Sequence, residues 1–299
     1  MNVREGTIPF EGSETFYRVV GEGEGSGKLP LLTLHGGPGA PSYHLEPYEA
    51  LAEGRRVIFY DQLGCGRSPV TAEHDPSMFT FDLYVREVEA VRAALGLDEI
   101  HLLGHSWGGM LAMLYMLEQP AGVASLTIQG SPASVPFWLT ELDRLRAELP
   151  PEVDATLRAH EAAGTTDDPA YEEAMMVFYG RHVCRVEWPP YLVKTFEALT
   201  ANPEVYFTLN GPSEFHVIGP LKDFDVTDRL GEIRVPTLIF AGEHDEVTPA
   251  TVEQVHRGIA GSRLEIVPDS SHMTYAEQPE VVLELVRGFL DEVEAGRPG

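Results

Sequence analysis

The stretch Gly104-His105-Ser106-Trp107-Gly108-Gly109 follows a short apolar run, Ile100–Leu103, and precedes a longer one, Met110–Leu117. The first run has the length of a buried strand, and the second is helix-forming. A serine in a Gly-x-Ser-x-Gly turn between a strand and a helix sits on a sharp, strained bend, where side chains on the two flanking glycines would clash. The sequence therefore predicts that the Ser106 hydroxyl is raised above a sheet, at the positive end of the following helix.

Short apolar runs recur near both ends of the chain and alternate with segments of helical periodicity. Strands are predicted at Thr15–Val20, Leu29–Leu34, Arg56–Tyr60, Ile100–Leu103, Val123–Ile128, Val235–Ala241 and Leu264–Val267. Helices are predicted at Thr80–Leu95, Met110–Leu117 and Pro279–Val293. Short apolar strands that alternate with helices are typical of a parallel sheet covered on both faces. The predicted fold class is therefore α/β, with a mostly parallel central sheet.

Residues 134–225 break this alternation. They contain long polar helical stretches, Leu139–Leu149 and Pro169–Tyr179, and several prolines. They also hold twelve of the 27 aromatic residues of the chain, which is an excess for less than a third of its length. We therefore predict a helical cap with an aromatic face, inserted into a core made of residues 1–133 and 226–299. Some of these aromatic residues must also form a small core within the cap.

The charge of the chain bears on its partners. Its 299 residues include 47 Asp and Glu against 21 Lys and Arg, a formal net charge of -26. Nucleic acids and anionic membranes bind basic surfaces, so neither is an expected partner. Cationic substrates are compatible with this charge, although a role in keeping the protein soluble explains it better.

The sequence also bears on the compartment. No stretch approaches the roughly 18 apolar residues of a membrane span. Met1–Phe10 lacks the apolar run of a signal peptide. Cys65 and Cys184 are too few for a disulfide framework, and each is expected to be a buried thiol. A cytoplasmic protein is the expectation.

A serine is a weak nucleophile unless a histidine takes its proton and an acid orients that histidine. At strand-turn-helix sites of this kind, the acid and then the histidine follow later strands. Val235–Ala241 leads into a loop with Asp245, and Leu264–Val267 leads into a loop with His272. The sequence predicts Ser106, Asp245 and His272 as the catalytic residues.

Other candidates lie close to these positions. Glu243 and Asp269 are rival acids, because each lies in one of the same two loops. His105 is adjacent to the serine but is expected to point away at the bend, and His244 precedes the acid. We expect both histidines to act through packing.

A second glycine-rich turn, His35-Gly36-Gly37-Pro38-Gly39, follows the strand Leu29–Leu34. Glycines allow the backbone to approach a substrate carbonyl, and the loop after this strand supplies half of the oxyanion hole in such folds. The backbone N–H groups of Gly37 and Trp107 are the predicted oxyanion donors. The turn Asp61–Ser68 offers no assignable catalytic atoms and is interpreted as structural.

Taken together, these motifs resemble the α/β-hydrolase superfamily and, more narrowly, the proline iminopeptidases, including the archaeal tricorn-associated type. The resemblance is carried by His35-Gly36-Gly37-Pro38-Gly39, Asp61-Gln62-x-Gly64-x-Gly66-x-Ser68, Gly104-His105-Ser106-Trp107-Gly108-Gly109 and Gly242-x-x-Asp245. These motifs span nearly the whole core. Lipases and esterases more often carry His-Gly-Gly-Gly at the first of them. Amino-acid amidases are also relatives, so the motifs indicate mechanism better than substrate.

The resemblance implies roles for several further residues. Family members bind the free amino group of the substrate with acidic residues, and Glu214 and Glu246 occupy those positions. An ammonium in a closed pocket needs compensating carboxylates. The resemblance further suggests that Tyr206 faces the oxyanion, and that Trp138 and Phe215 form an apolar wall around a proline-like ring.

The expected function is that of a serine exopeptidase that needs no metal or cofactor. It would release an N-terminal residue, preferentially proline, from short peptides or aminoacyl amides with a free N-terminus. The alternatives are an amidase or small-acyl esterase of the same fold and, less in keeping with the complete catalytic set, a non-catalytic binding protein. Ser106 excludes epoxide hydrolases and dehalogenases, which carry Asp at this bend.

Overall fold

An eight-stranded sheet forms the centre of the computed structural model, which describes residues 2–23, 27–70 and 73–297. The strands are β1 (Val3–Phe10), β2 (Ser13–Val20), β3 (Leu31–Leu34), β4 (Val57–Tyr60), β5 (Ile100–His105), β6 (Val123–Gln129), β7 (Thr237–Gly242) and β8 (Arg263–Val267). Of the predicted core, residues 1, 24–26, 71–72 and 298–299 lie outside the described residues.

The strand order is β1-β2-β4-β3-β5-β6-β7-β8. Strands β3 to β8 are parallel to one another, while β2 runs antiparallel to its neighbours β1 and β4. The central strands β3, β4, β5 and β7 are buried along their whole length, as expected for a sheet with helices on both faces. The predicted α/β fold class is confirmed.

Strand β1 was not predicted. It pairs with β2 along its full length, from Val3 opposite Val20 to Phe10 opposite Ser13. As an edge strand it leaves most of its side chains exposed, and Ile8 is its one buried residue. Its composition, VREGTIPF, therefore lacks the apolar run by which the other strands are recognisable.

Ten α-helices lie in the described residues. They are α1 (Phe81–Ala94), α2 (Trp107–Leu117), α3 (Val135–Arg146), α4 (Pro151–Ala163), α5 (Pro169–His182), α6 (Pro190–Ala201), α7 (Glu204–Leu209), α8 (Pro249–Gly258), α9 (Thr274–Glu277) and α10 (Pro279–Ala295). Helix α1 shows why they form where they do. The Thr80 side chain accepts a hydrogen bond from the Leu83 N–H and caps the first turn, and the apolar face with Val88 and Val91 is buried.

Helices α3 to α7 all lie in the chain segment between β6 and β7. Helix α6 packs on the 3-10 segment Ser42–Leu51, and α3 packs on α8. The insertion thus contacts the part of the sheet where β3 and β7 end. The division into a core of residues 1–133 and 226–299 and a cap of residues 134–225 stays a prediction.

A helix that crosses a membrane must be long and apolar. In the described part of the chain, no helix is both long and apolar enough to cross a membrane.

Candidate active site

Ser106 lies on a strained bend between β5 and α2. Its backbone has φ 56° and ψ -126°, a combination that non-glycine residues rarely adopt. A Cβ on Gly104 would overlap the carbonyl of Gly108, and one on Gly108 would overlap the carbonyl of Leu34. The glycines are therefore required by packing, and the bend leaves Ser106 on the surface of an internal cavity.

His272 and Asp245 are hydrogen-bonded, as the sequence predicts. His272 Nδ1 lies 2.8 Å from Asp245 Oδ1, and both side chains are buried. Asp245 also accepts hydrogen bonds from the backbone N–H groups of Val247 and Gly242, at 2.8 and 3.4 Å. These bonds hold the carboxylate, which in turn orients the imidazole with Nε2 free for proton transfer.

The rival acids lie elsewhere. Glu243 and Asp269 are exposed, and Glu243 Oε2 accepts a hydrogen bond from the Asp269 N–H at 3.2 Å. With His244 they form the single group of potential metal ligands in the described residues, with ligand atoms within 4.8 Å of one another. That group lies on the surface and lines no part of the cavity at Ser106.

The cavity at Ser106 has a volume of about 30 Å³. It brings together the predicted nucleophile and base, the predicted oxyanion residue Gly37, and both predicted amine ligands, Glu214 and Glu246. A Cβ on Gly36 would lie 3.0 Å from Ser106 Cβ, so glycine allows the β3 turn to approach the serine closely. Trp107 is the first residue of α2, directly after the serine.

Known proteins share the fold of this chain. The family model described as the alpha/beta hydrolase fold matches residues 30–279. A proline iminopeptidase of Lactobacillus crispatus (strain ST1) is 39% identical over 298 residues, covering 98% of this chain and 99% of that protein. The crystal structure of a Mycobacterium smegmatis proline iminopeptidase has a TM-score of 0.90 and 42% identity, covering 98% of this chain and 99% of that one.

This chain belongs to the proline iminopeptidase family. The crystal structure of VinJ is similar too, with a TM-score of 0.94, 43% identity, and coverage of 97% of this chain and 99% of that one. The resemblance seen in the sequence motifs is thereby confirmed, and the α/β-hydrolase fold with it.

In this proline iminopeptidase family member, two acidic side chains line the same cavity as the predicted base His272. Glu246 Oε1 lies 3.7 Å from His272 Nε2, and no hydrogen-bond partner of the buried atom Glu246 Oε2 exists among the described residues. Burial, with the charge of Glu214 added, holds the pKa of Glu246 well above its usual range. Burial also raises the pKa of Glu214. The cavity thus contains a carboxyl group with an unused acceptor.

The imidazole responds to these carboxylates. Burial alone would lower the pKa of His272, but Asp245, Glu246 and Glu214 outweigh it and raise the pKa to about 9. A cation that neutralised Glu214 and Glu246 would remove part of this effect. Their charges therefore couple the occupancy of the cavity to the basicity of His272.

Three residues assigned through the family resemblance take other positions. The Tyr206 hydroxyl donates to Glu214 Oε1 at 2.7 Å, so it supports the carboxylate instead of facing an oxyanion. The Trp138 indole N–H donates to the Glu246 carbonyl at 3.0 Å. Phe215 packs against the ring of Phe178, with centroids 4.9 Å apart. Neither Trp138 nor Phe215 is among the described residues that line the cavity.

The cavity wall comes instead from residues that sequence reasoning missed. These are Tyr179, Val183, Thr195, Phe196, Leu199 and Met273. Thr195, Phe196 and Leu199 follow the helical spacing of one face of α6, a signal that the sequence contained. The expectation that His105 points away is wrong, since it lines the cavity. Its ring packs against that of His272, with centroids 4.7 Å apart and the planes tilted by 41°.

Larger grooves exist on the surface. One of about 920 Å³ lies along α1 and α2, and one of about 770 Å³ lies at the end of the sheet near α10. No serine or histidine of the described chain lines either of them. The small cavity at Ser106 is therefore the candidate active site.

Proposed function

We propose that this protein is a serine exopeptidase that releases the N-terminal residue, preferentially proline, from short peptides with a free amino group. The observation that carries the proposal is the buried oxygen Oε2 of Glu246, which has no hydrogen-bond partner among the described residues and lies in the same cavity as Ser106 and His272. The names of the similar iminopeptidases from Lactobacillus crispatus and Mycobacterium smegmatis support proline as the preferred residue.

The unpaired carboxyl group favours an ammonium ligand. A buried carboxyl without a partner is costly, and a cation with N–H donors satisfies both its charge and its acceptors. Glu214, held by the Tyr206 hydroxyl, lies on the same cavity. A substrate whose amino group binds here can place only its first carbonyl at the nucleophile. This arrangement selects the first peptide bond and makes the enzyme an exopeptidase.

The chemical steps then use groups on the cavity surface. His272 Nε2 takes the Ser106 proton as the hydroxyl oxygen attacks the first carbonyl carbon, and Asp245 stabilises the imidazolium. The N–H groups of Gly37 and Trp107 stabilise the oxyanion of the tetrahedral intermediate. The imidazolium gives its proton to the leaving amine as the C–N bond breaks. Water, deprotonated by His272, cleaves the acyl-enzyme and regenerates Ser106.

Binding of the substrate ammonium prepares this proton transfer. The empty cavity keeps His272 protonated, because its carboxylates raise its pKa to about 9. An ammonium that neutralises Glu214 and Glu246 lowers that pKa toward the ordinary value and frees the base near neutral pH. Activity is thereby tied to a substrate with a free amino group.

The alternative is an amidase or small-acyl esterase that ignores the amino group. The test compares kcat/KM for prolyl-arylamide, its N-acetyl form and a simple fatty acyl ester. Acetylation removes the charge and leaves the carboxylates unpaired, so we expect a loss of roughly 2–5 kcal/mol, or about 30- to several-thousand-fold. Equal cleavage of the free and acetylated amides would overturn the exopeptidase and favour the alternative.

A further inference from the structure

Gln62 lies between the two segments that carry the proposed oxyanion donors. It follows β4, within the turn Asp61–Ser68 that the sequence analysis interpreted as structural, and it is completely buried. Its side chain makes two hydrogen bonds. Oε1 accepts from the Trp107 indole N–H at 2.8 Å, and Nε2 donates to the His35 carbonyl at 3.0 Å. The amide orientation is fixed chemically, because the indole can only donate and the carbonyl can only accept.

The backbone of Gln62 adds a third bond. Its N–H donates to His35 Nε2 at 2.8 Å, so that nitrogen must hold a lone pair. The other ring nitrogen, Nδ1, then carries the hydrogen and donates it to the Gly36 carbonyl at 3.0 Å. Burial lowers the pKa of His35 to about 4, which keeps the ring in this neutral form.

The Gly36 carbonyl belongs to the same peptide unit as the Gly37 N–H. In a trans peptide these two groups point in opposite directions. The imidazole that holds the carbonyl on one side therefore directs the N–H to the other side. Gln62 is thus linked to the first donor through His35 and to the second through the Trp107 side chain.

We propose that Gln62 is a positioning residue that holds both oxyanion donors at the correct separation. This inference rests on the proposed function, because it takes Gly37 and Trp107 as the donors. Gln62 does not line the cavity, so it acts through these two segments and not on the substrate. Oxyanion stabilisation depends on donors fixed in advance, which is what a buried amide bonded to both segments provides.

Gln129 offers a matched control for an ordinary buried glutamine. It is also completely buried, its Oε1 accepts from the Tyr48 hydroxyl, and its Nε2 donates to Thr274 Oγ1 at 2.8 Å. Its side chain bonds neither the His35 turn nor the Trp107 indole. A purely structural contribution of a buried amide should therefore be shared by both residues.

The experiment compares Gln62→Met and Gln129→Met with the wild type at a temperature where all three are folded. It measures kcat and KM for prolyl-arylamide, the rate of Ser106 labelling by a fluorophosphonate, and Tm. Deleting one oxyanion donor lowers kcat by about 10²–10³-fold, and displacing a donor lowers it less. We therefore expect Gln62→Met to lower kcat by about 10- to 100-fold. Labelling should slow in parallel, with KM unchanged within about threefold.

Gln129→Met should lower Tm similarly while keeping kcat and the labelling rate within about threefold of wild type. If Gln62→Met keeps its kcat, or if both variants lose kcat alike, the positioning role is wrong. Trp107→Phe removes a single bond and covers the case in which Gln62→Met does not fold. It should slow labelling by about tenfold, and an unchanged rate would overturn the inference.

The labelling rate separates this inference from the proposed function. Suppose that the wild type cleaves no prolyl-arylamide while the Gln62→Met variant is still labelled more slowly than the wild type. That result would overturn the proposed function and support the positioning role. Labelling that persists in Ser106→Ala would remove Ser106 as the nucleophile, and both would then be wrong.

Discussion

Two buried carboxyl groups, Asp61 after β4 and Glu246 after β7, differ in how the chain satisfies them. Asp61 Oδ1 accepts from the Ser42 N–H at 3.0 Å and the Ser42 hydroxyl at 2.7 Å, while Oδ2 accepts from Arg67 Nε at 2.7 Å. Burial alone would raise the pKa of Asp61, but the Arg67 guanidinium outweighs it and lowers the pKa. The protein itself compensates this charge.

Glu246 is equally buried, but His272 compensates it only in part. One oxygen lies 3.7 Å from His272 Nε2, the other has no partner among the described residues, and its pKa is raised. The hydrogen bonds of Asp61 are complete, whereas one oxygen of Glu246 has no partner among the described residues. This difference indicates different roles for the two carboxyl groups. Asp61 fixes a turn, whereas Glu246 is available to a ligand.

The largest effect should come from removing the nucleophile in the cavity that Glu246 faces. Ser106→Ala should lower kcat by about 10⁶-fold, because triad residues act as a unit. Prolyl-arylamide turnover measures it. Ser125→Ala is the control, since the buried Ser125 is hydrogen-bonded to His101, away from the cavity. If Ser106→Ala kept even a tenth of the activity, the cavity would not be the reacting site.

Neutralising the open carboxyl groups should come next. Glu246→Gln or Glu214→Gln should lower kcat/KM for prolyl-arylamide by about 30- to several-thousand-fold, since the substrate ammonium loses a buried partner. A neutral ester of the same size should be affected much less. Glu87→Gln provides the control, because Glu87 is buried but bonded to Thr15 and the Leu63 N–H. A similar loss of kcat/KM with both substrates would show that the glutamates do not bind the ammonium of the substrate.

Stability measurements should sharpen the comparison between the two carboxyl groups. Asp61→Asn leaves Arg67 without its buried charged partner. Breaking a buried ion pair costs about 3–5 kcal/mol of unfolding free energy, and we expect about 3 kcal/mol here because Arg67 is partly exposed. Glu246→Gln removes a carboxyl group whose burial outweighs its contact with His272, so the unfolding free energy should be unchanged or higher. Denaturant unfolding of both variants measures this. A larger loss for Glu246→Gln than for Asp61→Asn would contradict the distinction.

The smallest effect concerns pH. His272 has a pKa of about 9 in the empty cavity, so the rate of fluorophosphonate labelling should rise with pH toward that value. Glu246→Gln should move the midpoint down by about one pH unit, because one of the carboxylates that raise the pKa is gone. Protonated His272 also stabilises the fold below about pH 6.5, and this contribution is lost as pH rises through about 9. If Glu246→Gln moved the midpoint of the labelling profile to higher pH, Glu246 would not be one of the groups that raise the pKa of His272.

The sequence predicts the parts of the site that depend on local physics. The bend at Ser106 is set by its own glycines, and Asp245 and His272 follow strands that are recognisable as apolar runs. The cavity wall was not predicted, because Phe196 and Leu199 reach the site only through the packing of α6 on the core. Strand β1 was missed for lack of an apolar run.

The turn Asp61–Ser68 after β4 also shows what local sequence patterns do not predict. Gln62 bonds residues 27 and 45 positions away in the chain, so its role depends on strands that become neighbours only in the folded sheet. The roles suggested for Trp138 and Phe215 came from resemblance alone. Nothing in their own spacing indicated whether they would line the cavity.

The size of the cavity at Ser106 has a consequence for throughput. A volume of about 30 Å³ holds about one or two water molecules. A prolyl group needs more room, so the wall must move once to admit substrate and again to release product. Three wall residues, Thr195, Phe196 and Leu199, lie on α6. Motions of this kind take microseconds to milliseconds. We therefore expect the movement of α6 to limit kcat wherever the chemical steps at Ser106 are faster than this motion.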